Sequence, residues 1–304
     1  MKKLLALFLV CALYTPAAFA QGGNSSEPLE ISADKTLEWH RNDKRYIAKG
    51  KAVAQQGDTT ITAETLTADY REANGKDMDI YRLTAEQNVT ITSGINTAYG
   101  NHAVYDVDSG MATLTGGDLR MTSPEQTVTA TDKFEYDVNG GRLSAMGNAK
   151  LVRGEDVLEA PVMSAFFAAQ SADEQKSRKL ERMEATGGIK ITTPTEILTG
   201  DRGDYDAATN VATVTGNVKI TRGQNILEGE KATVNLTTNV STLTGNTVQK
   251  GSDGRVRGVF YPDDKTNDTP VQPVQPKAES KPEQTDLKPI ITVIPAPADE
   301  TVTP

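Results

Sequence analysis

A repeat of about 30 residues runs from Ile31 to Gly258 and constrains the fold more than any other feature of the sequence. Glycine recurs at one point of the repeat, and Gln87 fills the single position where it is missing. Eleven residues later comes an apolar or small residue, then any residue, then alanine or glycine. The repeat glycines are Gly50, Gly117, Gly147, Gly187, Gly216 and Gly245. A period of this length indicates a structure that grows by one supersecondary unit at a time.

Residues beyond each repeat glycine alternate between apolar and polar. Ile189 and Ile191 flank Lys190, for example, and Val218 and Ile220 flank Lys219. A period of two residues is typical of strands with one dry face and one solvated face. The sequence therefore predicts an all-β fold.

The N-terminus has the pattern of a cleavable signal peptide. Lys2 and Lys3 precede the short apolar run 4–13, and Ala18-Phe19-Ala20 fits a cleavage site. We predict a signal peptide over residues 1–20 and a short linker over 21–28. The single cysteine, Cys11, would leave with the signal peptide, so disulfides and thiol chemistry are not expected. A lipid-attachment site at Cys11 fits poorly, since a small residue should precede the cysteine.

The body of the chain is followed by a segment of different composition. We predict an ordered domain over residues 29–261 and a disordered tail over 262–304, where nine of the 14 prolines lie among polar residues. Two steps of the repeat are longer than the others. Their extra residues, 71–77 and 170–179, are expected to form loops on the same edge of the structure.

Charge and composition exclude several classes of function. The chain carries 41 acidic and 32 basic residues, a net charge of −9, which is the wrong sign for a nucleic-acid partner. The two histidines, His40 and His102, lack the companions of a zinc site. Asp106-Val-Asp-Ser-Gly110 resembles the start of a calcium loop but lacks the closing glutamate, so we interpret it as a turn. Neither a metal, a cofactor nor a catalytic centre is predicted.

A pair of aspartates and the tryptophan each have both a structural and a functional interpretation. Asp77 and Asp79 could act as paired carboxylates, but in an inserted polar segment we expect them to be solvated. Trp39, the only tryptophan, is either a packing residue of a hairpin or a contact for a partner.

Several segments together resemble the OstA-like family of lipopolysaccharide transport proteins. They are Leu29-Glu-Ile-Ser-Ala-Asp34, Gly50-Lys-Ala-Val53, the segment 61–70 (ITAETLTADY), Val214-Thr-Gly-Asn-Val-Lys-Ile220 and the closing segment 255–261 (RVRGVFY). The resemblance covers nearly all of residues 29–261. It implies an open, V-shaped β-jellyroll of antiparallel strands whose apolar interior carries the lipid A part of lipopolysaccharide.

The resemblance also implies a location and partners. Proteins of this kind stack end to end in the periplasm, between an inner-membrane ABC transporter, with its partner of the same fold, and an outer-membrane translocon. Edge strands with unpaired backbone groups would provide the contacts. The expected partner edges contain Ile31, Ala33, Val256, Val259, Phe260 and Tyr261.

The expected lipid groove consists of the inward residues of the alternating pattern, with the small alanines and glycines leaving room in the interior. The candidate groove residues are Ile61, Ala63, Val89, Ile91, Leu119, Met121, Val128, Leu151, Ile189, Ile191, Leu198, Val218, Ile220 and Leu227. The residues alone fit an ordinary sandwich core equally well, and the resemblance favours the groove. A β-solenoid that binds or cleaves polysaccharide and a purely structural repeat protein are the alternatives.

Overall fold

The structure is a computed structural model that describes residues 28–73, 76–168, 178–238, 240–245 and 254–261. The predicted signal peptide, the tail, nearly all of the linker and most of the second insertion lie outside these residues. Within the described part, no helix is long and apolar enough to cross a membrane.

The described residues form eighteen strands, and every pairing between them is antiparallel. The strands are β1 (Glu30–Ser32), β2 (Thr36–His40), β3 (Arg45–Gln56), β4 (Thr59–Ala73), β5 (Lys76–Ser93), β6 (Asn96–Asp106), β7 (Met111–Thr115), β8 (Arg120–Thr122), β9 (Thr127–Thr129), β10 (Lys133–Asp137), β11 (Arg142–Arg153), β12 (Asp156–Phe167), β13 (Leu180–Thr192), β14 (Ile197–Asp206), β15 (Val211–Arg222), β16 (Asn225–Asn235), β17 (Val240–Thr244) and β18 (Arg257–Val259). The all-β prediction is confirmed, and antiparallel pairing throughout contradicts a parallel β-solenoid.

Four of the repeat glycines, Gly50, Gly147, Gly187 and Gly216, mark β-bulges in the middle of long strands. In β15, Gly216 and Asn217 both have positive φ, and together they lie opposite the single residue Glu230 of β16. Gln87 and Asn88 adopt the same conformation in β5, with φ of 64° and 53°. Left-handed backbone favours glycine because it lacks a Cβ atom. Gln87 therefore takes the structural place of the missing glycine.

Each bulge divides a long strand between two sheet leaves. Leaf 1 has the strand order β2-β3-β4-β5-β6-β7-β10-β11-β12-β13-β14-β15-β16-β17. Leaf 2 has the order β1-β3-β4-β5-β6-β8-β9-β11-β12-β13-β14-β15-β16-β18. We call the line of bulges between the leaves the crease, and the far ends of the strands the rims. Long antiparallel strands that bend from one leaf into the other form a β-jellyroll.

The core lies between the inner faces of the two leaves. Ala145 of leaf 1 and Leu151 of leaf 2 lie on the same strand, β11, and both belong to one continuous apolar cluster. The outer faces carry the polar partners of the alternation, such as the exposed Lys190 between the buried Ile189 and Ile191.

The first insertion is not the loop that its composition predicts. Strands β4 and β5 extend through it as a hairpin that pairs Arg71 with Asp79 and Ala73 with Lys76. The prediction that Asp79 is solvated is also wrong, because its carboxylate lies 3.3 Å from the Arg71 guanidinium and its side chain is only 22% exposed. The hairpin lies at the rim of leaf 1, and so do Phe167 and Leu180, which flank the second insertion. A shared edge for the two insertions stays a prediction, because most of the second one lies outside the described residues.

Candidate functional site

The structure places the candidate groove residues on the inner face of leaf 2. Ten are buried and four, Ile61, Val128, Ile220 and Leu227, are partly buried. The buried members are Ala63, Val89, Ile91, Leu119, Met121, Leu151, Ile189, Ile191, Leu198 and Val218. Their common face follows from the period-two alternation. That they contact lipid stays a prediction.

The facing wall, on leaf 1, is absent from the sequence-based set. It contributes larger side chains, including Leu83, Phe134 and Leu143 and two methionines, Met163 and Met183, all buried. The sequence does indicate this wall, because apolar and polar residues alternate in Phe134-Glu-Tyr136 and Leu143-Ser-Ala145. The apolar interior therefore has two walls, and only the leaf 2 wall was predicted from the sequence.

Small residues at the crease do not leave the room that we expected. A Cβ atom on Gly200 would lie 2.4 Å from Val214 Cγ1, and one on Gly100 would lie 2.6 Å from Leu114 Cδ1. The neighbouring side chains already occupy this space. Glycine at these positions instead allows the two leaves to approach closely where they meet.

Two small cavities lie between the leaves, and both have apolar walls. Cavity 1, of about 30 Å³, is lined by residues of both leaves, among them Ile91, Leu114 and Tyr105. Cavity 2, of about 40 Å³, is lined by Gln126, Leu151 and the methionines Met121, Met163 and Met183. A cavity of about 10–15 Å³ is enough for one water molecule, so cavities of this size have room for only a few waters. Neither would hold an acyl chain without movement of its walls. Methionine side chains are unbranched and adapt readily to such changes.

The inner faces become polar at the rims. On leaf 2 the last inward residue of a strand is polar, as in Asn96, Gln126 and Glu196, and all three are buried. On leaf 1 the corresponding row is mostly tyrosine. This row consists of Tyr70, Tyr105, Tyr136, Phe167 and Tyr205. From crease to rim, the interior therefore changes from small, to apolar, to polar or phenolic.

The rim tyrosines differ in their hydrogen bonds. Tyr70 accepts a hydrogen bond from Trp39 Nε1 at 2.8 Å, and Tyr205 donates to Asn210 Oδ1 at 3.0 Å. The Tyr105 hydroxyl oxygen is buried and has no hydrogen-bond partner among the described residues. Burial raises the pKa of Tyr105, and the nearby Asp106 carboxylate raises it further, so this phenol stays protonated.

At the N-terminal end, inward-facing apolar side chains are exposed. Leu37 and Trp39 on β2 pair with Ala48 and Tyr46, so they continue the inner face of leaf 1, yet they are 57% and 48% exposed. Trp39 stacks on Tyr46 with ring centroids 5.6 Å apart, and the Arg41 guanidinium lies 4.1 Å from the Trp39 ring centroid. Trp39 is thus a packing residue that also presents a ring to solvent.

The outer face of β2 is polar. Glu38 lies 2.8 Å from Lys49 Nζ and 2.9 Å from His40 Nε2. The hydrogen bond from Lys49, with that from His40, lowers the pKa of Glu38 to about 2. Inner and outer faces of this edge strand therefore differ sharply in chemistry.

The predicted partner edges lie at the two ends of leaf 2. Ile31 pairs with Ala54 and packs partly against the core, as does Ala33 just beyond β1. Val259 pairs with Ile226 of β16, whereas Val256, Phe260 and Tyr261 are exposed. Among the described residues, β1 pairs only with β3, and β18 only with β16. Leaf 1 has its own end strands, β2 and β17, which the sequence analysis did not identify.

The described residues contain no group of three or more histidine, cysteine, aspartate or glutamate side chains placed to hold a metal ion. Asp106-Val-Asp-Ser-Gly110 is a turn, because Asp106 Oδ1 accepts a hydrogen bond from the Ser109 backbone N–H at 2.9 Å. The same capping occurs at Asp206 and Thr209, at 2.7 Å.

Comparison with known proteins decides the family. The family model described as LptA/(LptD N-terminal domain) LPS transport protein matches residues 30–132 and 128–240, which include nearly all of the described strands. The chain belongs to this LPS transport family. The resemblance inferred from the sequence is thereby confirmed, and members of the family include the two proteins for which it is named, LptA and LptD.

Individual relatives are distant. An uncharacterized protein of Rhizobium meliloti (strain 1021) is 24% identical over an alignment of 156 positions, which covers 44% of this chain and 83% of that protein. A crystal structure of LptH, described as the LptA homologous periplasmic component of the lipopolysaccharide transport device of Pseudomonas aeruginosa, is 12% identical, with a TM-score of 0.20. The match covers 78% of this chain and 98% of LptH. The β-jellyroll itself follows from the strand pairing described above.

Proposed function

We propose that this LPS transport protein is a periplasmic, non-enzymatic bridge that carries the lipid A part of lipopolysaccharide between its two leaves. One observation carries the proposal: the apolar interior is one continuous cluster that includes residues of strands from β1 to β17, and exposed apolar side chains border it at both end edges. Leu37 and Trp39 expose it at one end and Phe260 at the other. An interior that is open at both ends suits a ligand that passes from one protein to the next.

The energetics of acyl chains require such a path. Transfer of one methylene from an apolar site into water costs about 0.8 kcal/mol, so a chain of about a dozen carbons would face roughly 10 kcal/mol if it were left bare. A continuous apolar interior removes this cost. The gradient from crease to rim matches an amphipathic ligand, with its chains inside and its sugar headgroup at the polar rims.

Loading requires the walls to move, because cavities 1 and 2 are about 30 and 40 Å³. The leaves are joined along the crease by the bulged strands, and bulges are places where strands bend. The leaves would separate at the rims, and Met121, Met163 and Met183 would repack around the chains.

The partners of the bridge would bind at its end edges. An inner-membrane component of the same fold would pair with one end and the outer-membrane translocon with the other, by extension of the sheet from strand to strand. Copies of the chain would stack in the same manner. The family membership supports this arrangement, and the chemically different ends give it a direction.

Photo-crosslinking at the N-terminal edge strand tests the proposal. A photoreactive amino acid at Leu37 lies on the inner face, and one at the adjacent Thr36 lies on the outer face; both positions are exposed. With purified full-length protein and lipopolysaccharide, we expect an adduct from position 37 and little from position 36.

Equal labelling at positions 36 and 37, or no adduct from a folded protein, would contradict the carrier role. The second result would favour a purely structural repeat protein. Co-purification of stoichiometric lipopolysaccharide with the unmodified chain provides an independent measurement.

A further inference from the structure

The Tyr105 hydroxyl is a polar feature of cavity 1 that an apolar core does not explain. Tyr105 lines this cavity, and its hydroxyl oxygen is buried without a hydrogen-bond partner among the described residues. A buried polar group that is left unpaired lowers the stability of the folded protein. Phenylalanine would fill the same place without this cost, and the same row already contains Phe167.

Two other rim tyrosines show what a purely structural hydroxyl does. Tyr70 and Tyr205, at equivalent places on β4 and β14, have protein partners at 2.8 and 3.0 Å. Tyr105, on β6, pairs with Leu83 and Ala112, neither of which offers a side-chain acceptor. The unpaired hydroxyl is therefore a donor that remains available inside the apolar interior.

The position of Tyr105 limits what can bind to it. It lies at the rim end of its strand, five residues from Gly100 at the crease, and the wall between them is apolar. A chain that enters from the rim places its hydrocarbon toward the crease and its first polar atoms beside Tyr105. In an acylated sugar, those first polar atoms are the carbonyl oxygens that join chain and headgroup.

We propose that Tyr105 is a polar anchor that donates a hydrogen bond to the ester carbonyl of an acyl chain held in an enlarged cavity 1. The inference rests on the proposed function and assigns to this cavity one chain of an acylated headgroup. The carbonyl oxygen would accept the hydrogen bond for which the described residues of the free protein offer no acceptor. The anchor would fix how deeply the chain enters.

Substitution of Tyr105 by phenylalanine, in the full-length chain, tests the anchor. We expect Tyr105→Phe to weaken binding of lipopolysaccharide about fivefold, since a hydrogen bond contributes about 1 kcal/mol. Affinity for 1-N-phenylnaphthylamine, an apolar dye without oxygen, should not fall. Thermal stability of the free protein should stay the same or rise, because a buried unpaired hydroxyl is removed.

Tyr205→Phe is the matched control. It removes a rim hydroxyl that has a protein partner, so it should lower stability and weaken lipopolysaccharide binding less than Tyr105→Phe does. Equal lipopolysaccharide affinity of Tyr105→Phe and wild type would overturn the anchor alone. An equal loss for lipopolysaccharide and dye would also overturn it, because cavity shape would then be the cause. A wild-type protein that binds the dye but not lipopolysaccharide would overturn the proposed function as well.

Discussion

At the scale of single residues, aspartates that cap turns hold the leaf 1 rim in place. Asp106 Oδ1 accepts hydrogen bonds from the backbone N–H of Ser109, at 2.9 Å, and from its hydroxyl, at 2.8 Å. Asp206 and Thr209 repeat this geometry one hundred residues later. These turns directly follow Tyr105 and Tyr205, so they also set the positions of the rim tyrosines.

The Asp106 cap predicts a dependence of stability on pH. Hydrogen bonds from the Ser109 backbone N–H and hydroxyl lower the pKa of Asp106 in the folded state. The aspartate pKa in the unfolded chain is about 3.9, so in acid the unfolded chain binds more protons than the folded one. The stabilisation is therefore present above about pH 4 and is lost as pH falls through the folded-state pKa.

Two substitutions at Asp106 distinguish the loss of the hydrogen-bond acceptor from the loss of the negative charge. Asp106→Ala should lower the free energy of unfolding by about 1 kcal/mol near neutral pH, because the N–H and hydroxyl of Ser109 lose their acceptor. Asp106→Asn keeps an acceptor and should make the loss of stability in acid less steep. Urea unfolding over a pH series measures both. Asp118→Asn, at a side chain that is 90% exposed, is the control, and an equal acid response in all variants would contradict the capping account.

At the scale of strands, the bulges explain which part of the interior the sequence could predict. On β11 the inward residues Leu143, Ala145, Ala149 and Leu151 keep a strict period of two through the bulge. On β12, which lies opposite, they are Leu158, Ala160, Met163 and Ala165, with one step of three. Two residues face one at each bulge, so the partner strand loses its alternation there.

This difference accounts for part of the leaf 1 wall that was not predicted from the sequence. The alternation beyond each glycine predicted the leaf 2 face, including Val218 and Ile220, because no irregularity interrupts it. Met163 was not predicted because a period of two, continued across the crease of β12, assigns the wrong face to the residues that follow. Met183 keeps the period of two with Ala185 and Ile189 on β13, but it lies before the repeat glycine, outside the segments on which the prediction was based. The unpaired state of Tyr105 has no counterpart in the sequence, where it resembles the bonded Tyr205.

The bulge conformation predicts unequal effects of alanine at two glycines with positive φ. Gly216→Ala would place a Cβ atom 2.2 Å from Asp201 Oδ2, the atom that accepts a hydrogen bond from Asn217 Nδ2 at 2.9 Å. Gly94→Ala, in a turn at the leaf 2 rim, would meet nothing within 4 Å. Gly94→Ala should cost about 1 kcal/mol from backbone strain alone, and Gly216→Ala clearly more. Urea unfolding measures both losses. If the two variants lose the same free energy of unfolding, the added Cβ atom at the crease does not disturb its neighbours.

At the scale of the whole molecule, the two ends offer different edges for assembly. Leu37 and Trp39 are exposed on β2, and Val256 and Phe260 lie in the segment that contains β18. Pairing of one end with the other is heterologous and does not close, so it produces rods of variable length. Because all copies in such a rod would point in the same direction, the apolar interiors of successive copies would line up.

The backbone of the last strand shows which substitution should block this pairing. The Tyr261 N–H donates to Asn225 Oδ1 at 2.8 Å, on the β16 side. Because alternate N–H groups of a strand point to opposite sides, the N–H of Val259 also points toward β16, and those of Gly258 and Phe260 point outward. Proline at Val259 would therefore damage the protein's own sheet, whereas proline at Phe260 removes a donor that only a partner would use.

We therefore predict that the wild-type chain self-associates as its concentration rises and that Phe260→Pro shifts it toward monomer without unfolding it. Phe260→Asp should also shift the chain toward monomer. It keeps the backbone N–H but places a charge at a residue of the edge that is 69% exposed, and charged edge strands resist pairing. Ile95→Asp changes an equally apolar side chain, 55% exposed in a turn away from both ends, and should leave association unchanged. Sedimentation velocity over a concentration series, with thermal unfolding as the check on folding, decides between these outcomes. If the wild type stays monomeric at every concentration, or if Phe260→Pro associates as strongly as Ile95→Asp, end-to-end pairing through β18 is wrong and the contact must lie on another surface.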